Sequence, residues 1–310
     1  MARTETARGQ AVPASARRPG RAEAGEALSL AARMPRLILQ ARQVASSLAA
    51  GLHGRRRAGP GETFWQFRPF VAGEAANRVD WRRSGRDDRL YVREREWESP
   101  QALWLWMDRS ASMAFASNLA GAPKVERAFV LGLALADALV DSGERVGLLG
   151  RSNPSSSRKI VERLAESLAR DESDLDEDLP PAEPVARQDE VVLLGDFLAP
   201  AASVAARIEA ISERGARGHL CLIVDPIEET FPFDGQAVLH EGEAGLTLRI
   251  GDAAAWGKAY RDRMAAHRAA LVEATRRRGW TITIHRTDRP ASEAALRVLT
   301  LVSSARNGVA

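Results

Sequence analysis

The chain has 310 residues, 45% hydrophobic and 27% charged, a soluble globular composition long enough for one large domain or two ordinary ones. A single cysteine, Cys221, excludes a disulfide framework and a cysteine metal site and suits a reducing, cytoplasmic setting. The net charge of +3 is uneven: residues 1–57 hold eleven arginines against Glu5, Glu23 and Glu26, so the remainder is net acidic.

Residues 1–34 read as a disordered basic arm, because Ala, Arg, Gly, Pro and Glu mix there without apolar periodicity. A helix is expected over 35–54, with Leu37, Ala41, Val44, Leu48 and Leu52 recurring at spacings of three and four. Arg33, Arg36 and Arg42 interrupt this stretch, which therefore reads as neither a signal peptide nor a transmembrane segment.

Residues 55–100 form a strand-rich segment, dense in Trp, Phe, Arg and acids, with alternation over 64–70 and 90–97. Beyond it, 101–305 alternates apolar strands with amphipathic helices. Strands are expected at 102–107, 145–149, 190–194, 220–224 and 280–285, and helices at 124–140, 160–168, 201–214, 253–278 and 291–302. A hairpin insertion is expected within 228–250. The acidic run 171–184 reads as a solvated loop. Continuous apolar strands separated by helices predict an α/β fold, Rossmann-like, with a mainly parallel sheet covered on both faces.

In such a sheet, ligands collect at the carboxyl ends of the strands. Three carboxylates fall there: Asp108, Asp196 and Asp225. Asp225, followed by Pro226, reads as a helix cap or turn residue. Asp108 opens the sequence Asp-Arg-Ser-Ala-Ser, which places one carboxylate and the hydroxyls of Ser110 and Ser112 in a short loop. Oxygen donors of this kind suit a hard divalent cation such as Mg²⁺, with Asp196 as a second carboxylate.

Asp108, Ser110 and Ser112, followed by a helix and a later strand-ending Asp196, resemble the metal-ion-dependent adhesion site of von Willebrand factor A domains. That resemblance implies a Mg²⁺ or Mn²⁺ ion that bridges to a partner's carboxylate. A threonine ligand of that motif has no counterpart after residue 149, where Ser155, Ser156 and Ser157 offer hydroxyls instead.

A second resemblance lies upstream. Glu62, Phe64, Arg68, Phe70, Gly73, Glu74, Arg78, Val79, Asp80 and Trp81, then Leu90, Tyr91, Val92, Arg93 and Glu94, are similar to the signature of the bacterial domain-of-unknown-function 58 family. This implies a von Willebrand factor A-like fold and association with a MoxR-type AAA+ ATPase in chaperone or maturation work on a client protein. Trp81 reads either as a pocket filler, with Asp80 paired to a nearby arginine, or as part of a partner-docking surface together with Arg78, Asp80 and Arg109.

Enzymatic readings fare less well. No Gly-x-Ser-x-Gly elbow or phosphate-binding Gly-rich loop is present, and the five histidines are scattered. The expectation is a non-enzymatic adaptor. Two alternatives stand beside it: nucleic-acid or anionic-surface binding through the arginine-rich arm, and a metal-assisted phosphoesterase built on Asp108 and Asp196.

Overall fold

The structure, a computed structural model, describes residues 21–53, 64–71, 79–86, 89–95, 101–170, 177–240 and 247–307. Arg78, the first twenty residues of the expected arm, the acids of 171–176 and the turn at 243–245 lie outside the described residues.

Five parallel strands make the central sheet: β3 (Ala102–Met107), β4 (Arg145–Leu148), β5 (Glu190–Gly195), β6 (Arg217–Val224) and β9 (Thr281–Arg286), in the order β4-β3-β5-β6-β9. Every pairing among them is parallel, from Ala102 opposite Arg145 to Val224 opposite Arg286. The chain leaves β3 for β4 on one side and then crosses to β5 on the other. The order therefore reverses between β3 and β5, the kind of point at which open α/β sheets bind ligands.

Strand composition explains why both faces are covered. In β5 all six residues are buried, and Val192 and Leu194 face one core while Val191 and Leu193 face the other. The first core is completed by α3 (Lys124–Asp141), α4 (Ile160–Arg170) and α8 (Ala291–Asn307). The second is completed by α5 (Ala201–Ile211) and Leu271 of α7 (Ala253–Arg277), with Trp106 and Trp280. A short helix α6 (Pro226–Thr230) follows β6, and an antiparallel pair, β7 (Ala237–His240) with β8 (Thr247–Ile250), occupies the expected insertion.

Upstream, β1 (Phe64–Pro69) and β2 (Tyr91–Arg95) pair antiparallel, with a short helix α2 (Trp81–Ser84) between them.

One expected boundary is corrected. The first helix, α1, runs from Arg21 to His53, passing through Pro35 rather than starting there, so residues 21–34 are helical and not a disordered arm. Pro35 is exposed, and burial at Met34, Leu37, Ala41, Ala45 and Leu48 gives the helix a continuous apolar stripe. That stripe joins the same core as α3, α4 and α8. Arg33 and Arg36 both reach the buried carboxylate of Glu126 on α3, at 2.9 and 2.8 Å. From Met34 onward, tertiary burial thus holds the helix against the domain.

Candidate cation site at the carboxyl edge of the sheet

Asp108 sits one residue beyond β3, and its backbone N–H still donates to Leu194 O at 2.8 Å, so it lies directly against the end of β5. This approach needs Gly195. A Cβ there would lie 2.8 Å from Asp108 Cβ and 2.9 Å from its Oδ2, closer than packing permits. Asp108 Oδ1 accepts from Ser110 N at 2.9 Å, which curls the loop back and starts a 3-10 turn over Ala111–Ala114.

The curl brings the two serines together. Ser110 Oγ lies 3.2 Å from Ser112 Oγ, and Ser112 Oγ donates to Asp196 Oδ2 at 2.7 Å. Asp196 in turn accepts from Leu198 N at 3.3 Å. The residue between them, Phe197, takes a left-handed backbone at φ 48°, a conformation that costs energy in a non-glycine residue. It is held by burial of its ring beside Trp106 and by a bond between its carbonyl and His267 Nε2 at 2.8 Å. The four residues expected to converge, Asp108, Ser110, Ser112 and Asp196, do so.

Lys124 was not among the expected residues. The first residue of α3, it is 0% exposed and places its ammonium 2.8 Å from Asp196 Oδ2 and 2.5 Å from Glu228 Oε1. Phe115 covers it, with the ammonium 5.8 Å from the ring centroid. Glu228 belongs to α6, where its other oxygen accepts from Asp225 N, while Asp225 accepts from Ile227 N and Ser117 N. Asp225 is therefore the helix cap that its following proline suggests, and it also pins the loop after β3.

Charge in this enclosure is unevenly answered. Burial, and then the neighbouring Asp196 carboxylate, push the Asp108 carboxyl up to about 7 against the opposing pull of Ser110 and Lys124. Burial by itself would lower the Lys124 ammonium, but Asp196 and Glu228 outweigh it and raise it. Asp108 Oδ2 is buried and has no hydrogen-bond partner. A buried carboxylate oxygen without a donor is costly unless something meets it.

The donor set is compatible with a hard divalent cation. Asp108 Oδ2 and the two serine hydroxyls are oxygen donors on one short loop, and Asp196 orients Ser112. Among the described residues no group of three or more His, Cys, Asp or Glu side chains is placed to hold a metal, so any such ion depends on the hydroxyls.

Other expected residues are placed elsewhere. Arg109 is buried and donates to Leu168 O at 2.5 Å, so its guanidinium is turned to α4 and does not offer a docking group. Ser155 pairs its backbone with Val146, and its hydroxyl accepts from Ser157 N. The Ser157 hydroxyl accepts from Lys159 N, and Ser156 is exposed. These serines build a turn beside the edge strand. Asp80 caps α2 by accepting from Arg83 N at 2.9 Å, and no arginine side chain is involved in that bond. Trp81 is 64% exposed and fills no pocket.

Sequence reasoning missed Lys124 and Glu228 because neither falls in a spacing pattern. One signal was present: the chain carries 44 basic residues, of which the lysines are Lys124, Lys159 and Lys258. Of these three, Lys124 alone is buried, where a compact ammonium differs from a guanidinium.

The family described as "Protein of unknown function DUF58" matches residues 66–270. Uncharacterized proteins of Mycobacterium bovis (strain ATCC BAA-935 / AF2122/97) and Mycobacterium tuberculosis (strain ATCC 25618 / H37Rv) are each 25% identical over 281 residues, covering 84% of this chain and 86% of the relative. Among solved structures, an aerotolerance-related membrane protein from Bacteroides fragilis NCTC 9343, carrying multiple mutations to serines, is similar at 15% identity and a TM-score of 0.37. That match covers 64% of this chain and 97% of the other. No helix among the described residues is long and apolar enough to cross a membrane.

Proposed function

The chain belongs to the DUF58 family, and on that premise we propose that it is a von Willebrand factor A-like adaptor, without catalytic activity, that binds a partner protein's carboxylate at the Asp108 site. The observation that carries this reading is the buried, unpartnered Asp108 Oδ2 on the same short loop as the adjoining hydroxyls of Ser110 and Ser112, at the point where strand order reverses. Asp108, Ser110 and Ser112 would hold Mg²⁺ or Mn²⁺, with Asp196 keeping Ser112 oriented. Such an ion, when bound, supplies the positive charge that an incoming carboxylate needs.

The chain's own residues account for the rest. The loops that carry Ser112 and Asp196 also present Phe115, Leu119 and Leu198, each more than two-fifths exposed. Exposed apolar side chains around a small polar site suit a protein surface better than a small solute. The partner proposed is a MoxR-type AAA+ ATPase acting on a client protein.

The test is co-purification of the full chain with the AAA+ protein encoded nearest to it, in Mg²⁺ and in chelator. Binding should require both the cation and Asp108, and be lost in Asp108→Ala. Binding that survives both changes sinks the reading.

A further inference from the structure

Asp196 Oδ2 already serves two donors, Ser112 Oγ at 2.7 Å and the Lys124 ammonium at 2.8 Å. The ammonium is fully enclosed, and Glu228 Oε1 at 2.5 Å offers it a second seat. We propose that Lys124, seated on Asp196, is a resident cation that competes with a divalent metal ion at Asp108, Ser110 and Ser112 and so holds the Asp108 site in a weak-binding state. This rests on the reading of Asp108, Ser110 and Ser112 as a cation site.

The physical basis is that the enclosure carries three carboxylates, Asp108, Asp196 and Glu228, and one built-in positive charge. A divalent ion on Asp108 Oδ2 comes close to the ammonium through their shared neighbour Asp196, and two cations so near in a low-dielectric setting repel. Lys124 cannot relieve this by turning to solvent, because it is 0% exposed and roofed by Phe115. Its one alternative is to lean on Glu228. An added carboxylate from a partner supplies the negative charge that makes both cations tolerable together. Metal and partner are then taken up as a pair, and metal alone is taken up poorly.

Isothermal titration of the full chain with Mn²⁺ tests this, using the wild type, Lys124→Met and Glu228→Gln. Lys124→Met should bind Mn²⁺ at least tenfold more tightly than the wild type, and adding Asp108→Ala to it should abolish that binding. Glu228→Gln should bind more weakly than the wild type, because the ammonium is left with Asp196 as its one anionic partner. Measurable binding in Lys124→Met with none in the wild type supports the proposal equally. Unchanged or weaker binding in Lys124→Met overturns the competition and leaves the site itself standing. Absence of binding in all three proteins overturns the site and the proposal together. Should Lys124→Met fail to fold, Glu228→Gln decides, and unchanged or tighter binding there overturns the proposal.

Discussion

The ammonium of Lys124 and the carboxylate of Asp196 form an ion pair of 2.8 Å in which neither side chain is more than 3% exposed. It spans the gap between the first turn of α3 and the end of β5, so it fixes a helix to the strand that faces Asp108. Breaking such a pair from one side leaves a buried charge, which costs about 3–5 kcal/mol. Lys124→Met, which leaves the buried Asp196 carboxylate without its ammonium, is therefore expected to lower the urea unfolding free energy by that order, and Asp196→Ala, which leaves the ammonium on Glu228, by less. Replacing both partners, Lys124→Met with Asp196→Leu, should cost clearly less than the two single changes added together. A double-mutant cycle reads the difference directly, and additive losses would show that the pair is not coupled.

Gly195 is expected to behave as part of the site even though it has no side chain. Its missing Cβ is the space that Asp108 uses, at 2.8–2.9 Å from where a methyl group would stand. Gly195→Ala must push Asp108 away or shift β5, at about 1–3 kcal/mol. The thermal midpoint should fall, and whatever stabilisation Mg²⁺ or Mn²⁺ confers on the wild type should shrink with it. A variant with wild-type stability and an intact cation response would mean that Asp108 can move freely.

Legibility from sequence followed the strength of the local pattern. The strands of the central sheet each contain an apolar stretch, and β3 occupies the 102–107 span expected for it because nothing polar interrupts LWLWM, whereas β6 and β9 also carry polar residues such as His219 and Thr283. Asp108, Ser110 and Ser112 were readable as one constellation because they share a loop. Lys124 and Glu228 reach the same enclosure from two helices far apart in sequence, and no spacing rule joins them. The start of α1 is hidden for a related reason: Pro35 looks like a first helical residue, whereas the helix already runs from Arg21 and passes through it. Residue type alone leaves Trp81 open between a pocket filler and a docking surface, and its position just after the Asp80 cap leaves it exposed.

His285, near the end of β9, supplies a pH dependence. Burial, and then the adjacent Arg127, lower its imidazole to about 4 from an ordinary value of 6.5, with Asp288 opposing. A base lowered on folding is neutral in the folded chain while the unfolded chain takes up a proton. Its contribution to stability is present above pH 6.5 and is lost as pH falls toward 4. At about 1.4 kcal/mol per pH unit the loss is on the order of 3 kcal/mol. Unfolding free energies at pH 7.5 and 4.5 should differ by less in His285→Asn than in the wild type. An identical pH slope in the two proteins would show that His285 is accommodated with its proton.

The docking of α1 bears on how the arginine-rich end of the chain should be tested. Removing residues 1–57 is the obvious way to ask whether that end binds nucleic acid, but the deletion also strips Leu37 and Leu48, which are 0% and 2% exposed, from the main core. It uncovers the outer surfaces of α3, α4 and α8, and the product is expected to aggregate or lose cooperative unfolding. Single changes separate the contributions. Leu37→Ala should cost about 2–5 kcal/mol, the range for truncating a buried leucine. Arg33→Ala and Arg36→Ala each leave Glu126 with the other arginine, and both guanidinium groups are about half exposed, so each should cost about 1 kcal/mol or less. Because Glu126 lies two residues from Lys124 on the same helical turn, losing both arginines should loosen the start of α3. Hydrogen exchange at the amides of 124–128 measures that loosening. Unchanged protection in the double variant would show that α1 holds the helix by its apolar stripe alone.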